Sequence, residues 1–222
     1  PSDLDRLLFP AAPLQLPERE LSAVLQRRIA ERSAARTLSI VDCFSAPAAP
    51  LVLLLRAYEY ADLKGALAAL ISGGRTAPPH VDLGRYGQLR WEAYPDFSHM
   101  AAGTDFSWIV PPASDAELVD VESELDKRYY AALWNAVRRL PGRDRFGLEP
   151  LVAEEISLKN VVWSLRLRAY YGLSGTDLDG RLLDIRRGTA SLAADARASA
   201  DFALDRRADW QKWRRRALLN VE

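Results

Sequence analysis

The residue types that most often carry chemistry are few in this chain, and they stand far apart in sequence. His80 and His99 are the two histidines, and neither lies four residues from a second ligand or close to Cys43. Zinc sites need three or four such ligands at short spacing. The glycine segments lack the lysine and hydroxyl residue of a phosphate-binding loop. We therefore predict no metal site and no cofactor, and we interpret the histidines as solvated loop residues.

Acidic pairs are the next candidates, because two carboxylates can serve as general acid and base. Glu154 stands beside Glu155, and four acids lie in "DVESELD". However, acids near a helix start, with basic residues further along, are the ordinary arrangement that complements the helix dipole. We therefore predict no catalytic residues.

A polar cluster interrupts the apolar pattern of "EEISLKNVVWSLRLRAYYGLS", which begins at Glu154. Ser157, Lys159 and Asn160 fall within one turn of a predicted helix. A buried amide must find hydrogen-bond partners and so favours one arrangement of its neighbours. We predict that this cluster is a structural lock between helices, made of Glu154, Ser157, Lys159 and Asn160.

Arginine and aromatic side chains supply the candidates for a partner surface, since both are enriched at interface centres. The basic segment "WQKWRRR" has tryptophans three residues apart, and it could anchor at a membrane, dock a partner or pack under a terminal helix. Packing is the commonest fate of such rings and is favoured here. The candidate interface residues are Arg166, Arg168, Tyr170, Tyr171, Trp210 and Trp213.

Composition narrows the class of protein. The 222 residues include 30 basic and 30 acidic side chains, so no bulk positive field attracts nucleic acid. The apolar runs are too short to span a bilayer, and no basic segment leads into an apolar one near the start, so we expect no secretory leader. A single cysteine is consistent with a reducing compartment, which makes the cytoplasm the default location.

The elements that must position these residues are predicted to be helices almost throughout, so the fold class is all-α. Prolines and glycines divide the chain into an N-terminal arm (1–16), a first helical unit with a Pro/Gly-rich loop (17–113), and a second helical unit with C-terminal helices (114–222). Ser114 and Glu117 have capping-box spacing. The segment "PGRDRF" is expected to end the helix before it.

Two helices share a pattern, 95 positions apart. An acid, a short polar residue, leucine, lysine and a distant leucine recur in both copies. A helical hairpin used at least twice is the predicted unit, and such units generally form surfaces rather than catalytic sites. The matched residues are Glu59, Asp62, Leu63, Lys64 and Leu70 with Glu154, Ser157, Leu158, Lys159 and Leu165.

The helix pair from Glu122 to Gly172 resembles the rotor stalk component of V-type and archaeal-type ATPases that is known as the C subunit in prokaryotes and the d subunit in eukaryotes. That family has an aromatic pair and then a helix of the form E-I-D-x-x-N-x-x-x-x-L-R-x-R. This chain departs from the pattern at Ser157, which stands where the family commonly has aspartate. The earlier "YEYADLKGALAALISG" and "VDLGRYG" resemble the family's first copy. The matching residues are Tyr129, Tyr130, Glu155, Ile156, Asn160, Leu165, Arg166 and Arg168.

The resemblance implies a funnel of related helical units about a pseudo-threefold axis, without a cofactor. It would receive the rotating shaft at its mouth, sit on the membrane proteolipid ring and transmit torque without catalysis. The expected location is then cytoplasmic and peripheral to the inner membrane. The chain is about a third shorter than typical members and shows two clear copies, so one unit would be missing or degenerate. The alternatives are a free-standing helical scaffold or regulatory protein and, more remotely, a small enzyme with an unrecognised acid pair.

Overall fold

The protein's fold is given by a computed structural model, which describes residues 17–214. The predicted arm at 1–16 lies outside these residues. Contacts divide the chain into two compact units, with the boundary between Glu122 and Ser123.

The first unit is built on two long antiparallel helices. Helix α1 spans Glu18–Val41 and follows Pro17, while α2 spans Ala49–Ile71 and has Pro50 in its first turn. Proline suits that position because its missing N–H has no intrahelical partner there. The helices pack on each other around a core of Ala34, Leu55, Val81 and Leu83, flanked by Leu38, Tyr58 and Tyr86.

The segment after α2 has little regular structure, as its Pro/Gly-rich composition predicts. It contains 3-10 turns at Gly84–Tyr86 and Trp91–Ala93, followed by the short helix α3 at Phe97–Met100. Phe106 is fully buried there and meets Tyr60 of α2 edge-to-face, with ring centroids 4.9 Å apart. The segment therefore covers α2 with its own apolar side chains.

Helix α4 spans Asp115–Arg138 and starts with the predicted cap. The Ser114 hydroxyl accepts a hydrogen bond from the Glu117 N–H at 3.3 Å. The Glu117 carboxylate accepts in turn from the Ala113 N–H, at 2.8 Å, one residue earlier than in the ideal capping box. Two free donors at the helix start are satisfied in this way.

The helix before "PGRDRF" ends at Arg138, as predicted, and helix α5 spans Gly142–Tyr171, so it begins within that segment. The chain re-enters a helix at Gly142 and continues through Pro150. It ends at Gly172, whose φ of 62° is left-handed, as is common for a glycine after a helix. The helix is thus about three turns longer than its apolar pattern indicates.

The remainder of the second unit is made of short pieces around a tryptophan-rich core. Helix α6 spans Gly175–Asp179, α7 spans Ala194–Ala198 and α8 spans Arg207–Gln211. Strands β1 (Arg186–Arg187) and β2 (Ala190–Ser191) pair antiparallel as a two-stranded hairpin. The core comprises Val161, Leu182, Ala193, Ala196, Trp210 and Trp213, with Leu165 and Phe202 against it.

The all-α prediction is confirmed, since the hairpin is the sole sheet among residues 17–214. In that same range, no helix combines the length and the apolar character required to cross a bilayer.

Candidate functional site

Asn160 is the centre of the polar cluster on α5, and it is 1% exposed. Its amide nitrogen donates to the carbonyl oxygens of Leu183 and Leu192, at 3.1 and 3.2 Å. Its amide oxygen accepts from the Leu183 N–H at 2.7 Å. One side chain thus holds the backbone on both sides of the β1–β2 hairpin against α5.

Ser157 extends the cluster towards the C-terminal end of the described chain. Its hydroxyl donates to the buried carboxylate of Asp195 at 3.4 Å, and Arg214 pairs with the same carboxylate at 2.8 Å. The Trp213 indole N–H donates to the Asp195 backbone oxygen at 3.3 Å. Asp195 therefore joins α5, α7 and the segment after α8.

Lys159 and Glu154 complete the predicted set. The Lys159 ammonium lies 3.3 Å from the Asp126 carboxylate of α4 and 5.8 Å from the centre of the Trp163 ring. Glu154 is exposed at the surface of α5. Lys159, Ser157 and Asn160 thus connect α5 to three different segments of the second unit.

Tyr130 makes a second contact between α4 and α5. Its hydroxyl donates to the Glu155 carboxylate at 3.1 Å, and its ring meets Tyr129 edge-to-face. Burial raises the pKa of the Tyr130 phenol far above its usual value, and the nearby Glu155 charge adds to the effect. The phenol is therefore held neutral as a hydrogen-bond donor.

Helix α2 uses a buried acid, Glu59, and a partly buried one, Asp62, in the way that α5 uses Asn160. Glu59 accepts from the backbone N–H groups of Gln88 and Leu89, at 2.5 and 2.8 Å. Asp62 accepts from the Val81 N–H at 2.6 Å and from the Arg27 guanidinium at 3.0 Å. In each unit, a polar side chain in the middle of a long helix binds the backbone of the segment that follows it.

The contacts of α2 and α5 are similar at a spacing that differs from the 95 positions of the shared sequence pattern. Asp62 binds the N–H of the residue before Asp82, and Asn160 binds the N–H of the residue before Asp184. Asp62 and Asn160, which are 98 positions apart, thus make similar backbone contacts, whereas the sequence pattern aligned Asp62 with Ser157. Shared leucines cannot discriminate between registers three residues apart on a helix, because both lie on the same face.

The six candidate interface residues separate into exposed and buried groups. Tyr170, at 80% exposed, Tyr171 and Arg166 are open to solvent at the end of α5. Arg168 is half-buried and donates to the backbone oxygens of Ser199 and Phe202. The remaining two, Trp210 and Trp213, are buried in the core, which agrees with the packing interpretation of "WQKWRRR" and removes them from the exposed surface.

Sequence reasoning missed the residues that complete the cluster, namely Asp126, Asp195 and the backbone at Leu183 and Leu192. The one available signal was a buried polar residue in an apolar stripe, which indicates that partners exist but not which ones. The two carboxylates looked like ordinary surface acids.

An open cleft of about 400 Å³ lies on the second unit between α4, α7 and the segment before the hairpin. Lys127 on its wall donates to the Gly180 oxygen at 2.7 Å, and Arg197 pairs with Asp179 and Asp184. Hydrogen bonds from Ser191 and Arg197 lower the pKa of Asp184 below its usual value. Arg197 and the two acids of the cleft therefore neutralise one another, Lys127 is bonded to a backbone oxygen, and no nucleophile with a base converges among the residues that line it.

The histidines take part in ordinary local contacts. His80 stacks on Trp91 with ring centroids 4.2 Å apart, and His99 bonds Asp96 at 2.6 Å, which helps to lower the pKa of that acid. Within residues 17–214, no group of three His, Cys, Asp or Glu side chains could hold a metal ion.

Comparison with known proteins decides the family. A family model described as "ATP synthase (C/AC39) subunit" matches residues 15–204. The chain belongs to this family. A protein of Treponema pallidum (strain Nichols), named only as uncharacterized, is 31% identical over 205 residues. That alignment covers 90% of this chain and 60% of the relative, so the chain spans less than two thirds of the relative's length. No solved structure matches.

Membership of the C/AC39 family implies a component of a V-type ATPase, and the family is non-catalytic. Most of the residues that carry the family pattern lie in the α4–α5 contact or the core behind it. Ile156 and Asn160 are buried, and Glu155 accepts from Tyr130. Several residues on which the resemblance rests therefore contribute to the contacts that hold the second unit together.

Proposed function

We propose that this protein is a non-catalytic central-stalk subunit of a V-type ATPase, which couples the rotating shaft to the membrane proteolipid ring during ATP-driven proton or sodium transport. The observation that carries the proposal is the C/AC39 family match across residues 15–204. The proposed partners are the shaft subunits and the ring, at the cytoplasmic side of the inner membrane. No cofactor is required.

The contacts within each unit support a mechanical role. A torque-bearing element must resist shear between its helices, and packed apolar side chains alone can slide past one another. Directional hydrogen bonds hold the register of each long helix against its neighbours: the Glu59 carboxylate accepts from backbone N–H groups, and the Asn160 amide both donates to and accepts from the backbone. We propose that these residues, with Ser157 and Lys159, form locks that keep the units stiff, and that the units repeat about a pseudo-symmetric axis.

The end of α5 is the proposed partner surface of the second unit. Arg166, Tyr170 and Tyr171 are exposed there, and tyrosine and arginine are favoured at the centres of protein interfaces. Gly172 ends the helix directly after them. A partner could therefore approach the last turn without meeting a continuation of the helix.

A pull-down from detergent-solubilised membranes, with identification of the bound proteins, tests the assignment. Tagged protein should recover shaft and proteolipid subunits, and substituting Arg166, Tyr170 and Tyr171 by serine should lower that recovery. The matched control substitutes Arg36, Ile29 and Ile40, exposed on α1, by serine. Recovery of neither the shaft nor the proteolipid would favour the free-standing scaffold.

Deletion tests the coupling role. Without this chain, membranes should still hydrolyse ATP, because the catalytic subunits remain, but they should no longer pump ions. Equal loss of both activities on deletion would contradict a purely coupling role.

A further inference from the structure

One end of the second unit carries a concentration of arginine. Helix α4 ends at Arg138, three residues join it to α5 at Gly142, and the β1–β2 hairpin is tied to the same end by an ion pair between Arg187 and Glu149 at 3.1 Å. We call this region the basic end; its charged residues are Arg138, Arg139, Arg143, Asp144, Arg145, Glu149, Arg186 and Arg187.

The basic end has six arginines and two acids, a net charge of +4 in a chain whose net charge is zero. Glu149 is already shared by Arg187 and Arg145. Arg138, Arg139 and Arg143 are exposed and form no salt bridge with another residue of the described chain. Arg138, Arg139 and Arg143 therefore leave positive charge open to solvent at this end of the second unit.

Helix electrostatics account for Arg138, which stands in the last turn of α4, but not for the arginines at the start of α5. The start of a helix carries partial positive charge and favours acids. Arg143 and Arg145 stand in the first turns of α5, with Asp144 as the acid there and no side-chain cap. Two like charges at a positive helix end are unfavourable for the helix itself, and they increase the positive potential outside it.

Apolar side chains project among the arginines. Phe146 follows Arg145 in the second turn of α5, and its side chain is 84% exposed. Leu151 is 67% exposed. An exposed aromatic ring beside basic residues is the composition of segments that lie at the surface of an anionic bilayer. Clusters of four to eight basic residues indicate acidic lipids for the same electrostatic reason.

We propose that the basic end binds a bilayer surface rich in anionic lipids, with its arginines at the headgroup phosphates and Phe146 at the boundary of the acyl chains. An acidic protein surface is the competing partner. Binding an acidic protein through two-point arginine–carboxylate contacts requires guanidinium groups held in fixed orientations, and no neighbouring residue holds Arg138, Arg139 or Arg143 in that way. A layer of lipid phosphates requires no fixed geometry, so these arginines favour the bilayer. The proposal does not depend on the rotary function.

Vesicle co-sedimentation of the untagged protein tests it. Vesicles of phosphatidylcholine containing one phosphatidylglycerol in three should bind the protein at low salt, and pure phosphatidylcholine should not. Arg138→Gln with Arg139→Gln and Arg143→Gln should weaken partitioning by about fivefold per arginine, on the order of 100-fold together. The control, Arg32→Gln with Arg36→Gln and Arg75→Gln, removes the same charge from exposed sites of the first unit and should change binding little.

Phe146→Ser should reduce binding several-fold with all charges kept, while Phe44→Ser, at an exposed site on the other unit, should not. Circular dichroism checks that each variant is folded. Equal binding by the two arginine triples, or no preference for phosphatidylglycerol, would overturn the proposal. It would also be overturned if vesicles fail to bind while the first triple loses a protein partner in pull-downs, since that result assigns the surface to an acidic protein.

Discussion

Replacing Asn160 with alanine removes the contacts on which the second unit's arrangement most depends. The side chain is 1% exposed and makes three hydrogen bonds, to the Leu183 N–H, the Leu183 oxygen and the Leu192 oxygen. Each bond contributes about 1 kcal/mol, and a buried backbone group left without a partner costs about 1–3 kcal/mol. We therefore expect Asn160→Ala to lower the free energy of unfolding by about 3 kcal/mol.

Asn135→Ala is the matched control. Asn135 lies on the exposed face of α4, so this variant has the same change in side chain and in helix propensity without the loss of buried bonds. An exposed substitution of this kind changes stability by less than about 0.5 kcal/mol. The difference between the two variants isolates the hydrogen bonds of Asn160.

Urea unfolding followed by tryptophan fluorescence measures both variants, because Trp210 and Trp213 report on the core beside Asn160. Circular dichroism at the same urea concentrations shows whether the two units unfold together or in separate steps. If Asn160→Ala were as stable as Asn135→Ala, the hydrogen bonds would contribute nothing measurable and the proposed lock would be refuted.

Three further predictions concern other buried groups. Glu59→Gln should destabilise the first unit by about 2 kcal/mol, since the buried Arg56 loses a nearby charge, whereas Glu31→Gln at an exposed site should be nearly neutral in the same urea assay. Trp213→Ala should cost about 3–5 kcal/mol by leaving a cavity beside Ala193 and Ala196, and a loss below about 1 kcal/mol would contradict its core position. The pKa of Tyr130 is raised in the folded protein, so only the unfolded phenol ionises just above about pH 10. The contribution of Tyr130 to the free energy of unfolding is therefore fully present below about pH 10 and falls on the order of 1 kcal/mol per pH unit above it. Tyr130→Phe should reduce that alkaline fall, Tyr170→Phe should keep it, and identical pH profiles for wild type and Tyr130→Phe would refute the assignment.

Most helices of this protein could be predicted because their signals are local. Pro17 and Pro50 mark helix starts, Ser114 and Glu117 form a cap, and Gly172 ends α5 in a left-handed turn. Such signals act within a few residues, so a single sequence contains all the information they need. The start of α5 was missed because Gly147 and Pro150 disfavour a helix locally, and the helix continues there despite them.

The family pattern was also readable from the sequence, because its polar residues recur at fixed positions on one helix. The same pattern indicated that Ser157, Lys159 and Asn160 need partners, since polar groups in an apolar stripe are seldom left without them. It could not indicate the partners, which lie 38 residues away for Ser157 and 23 and 32 residues away for Asn160.

The sequence alone therefore determined the all-α class, the main helices and the C/AC39 family, all of which depend on short-range spacing. The tertiary structure alone decided that Asp195 and Asp126 complete the polar cluster, and it established the core position of Trp210 and Trp213 that the sequence only favoured. The physical reason is that a buried polar group specifies only how many hydrogen bonds it needs. Which distant backbone groups supply them is decided when the chain packs and water is removed from around them.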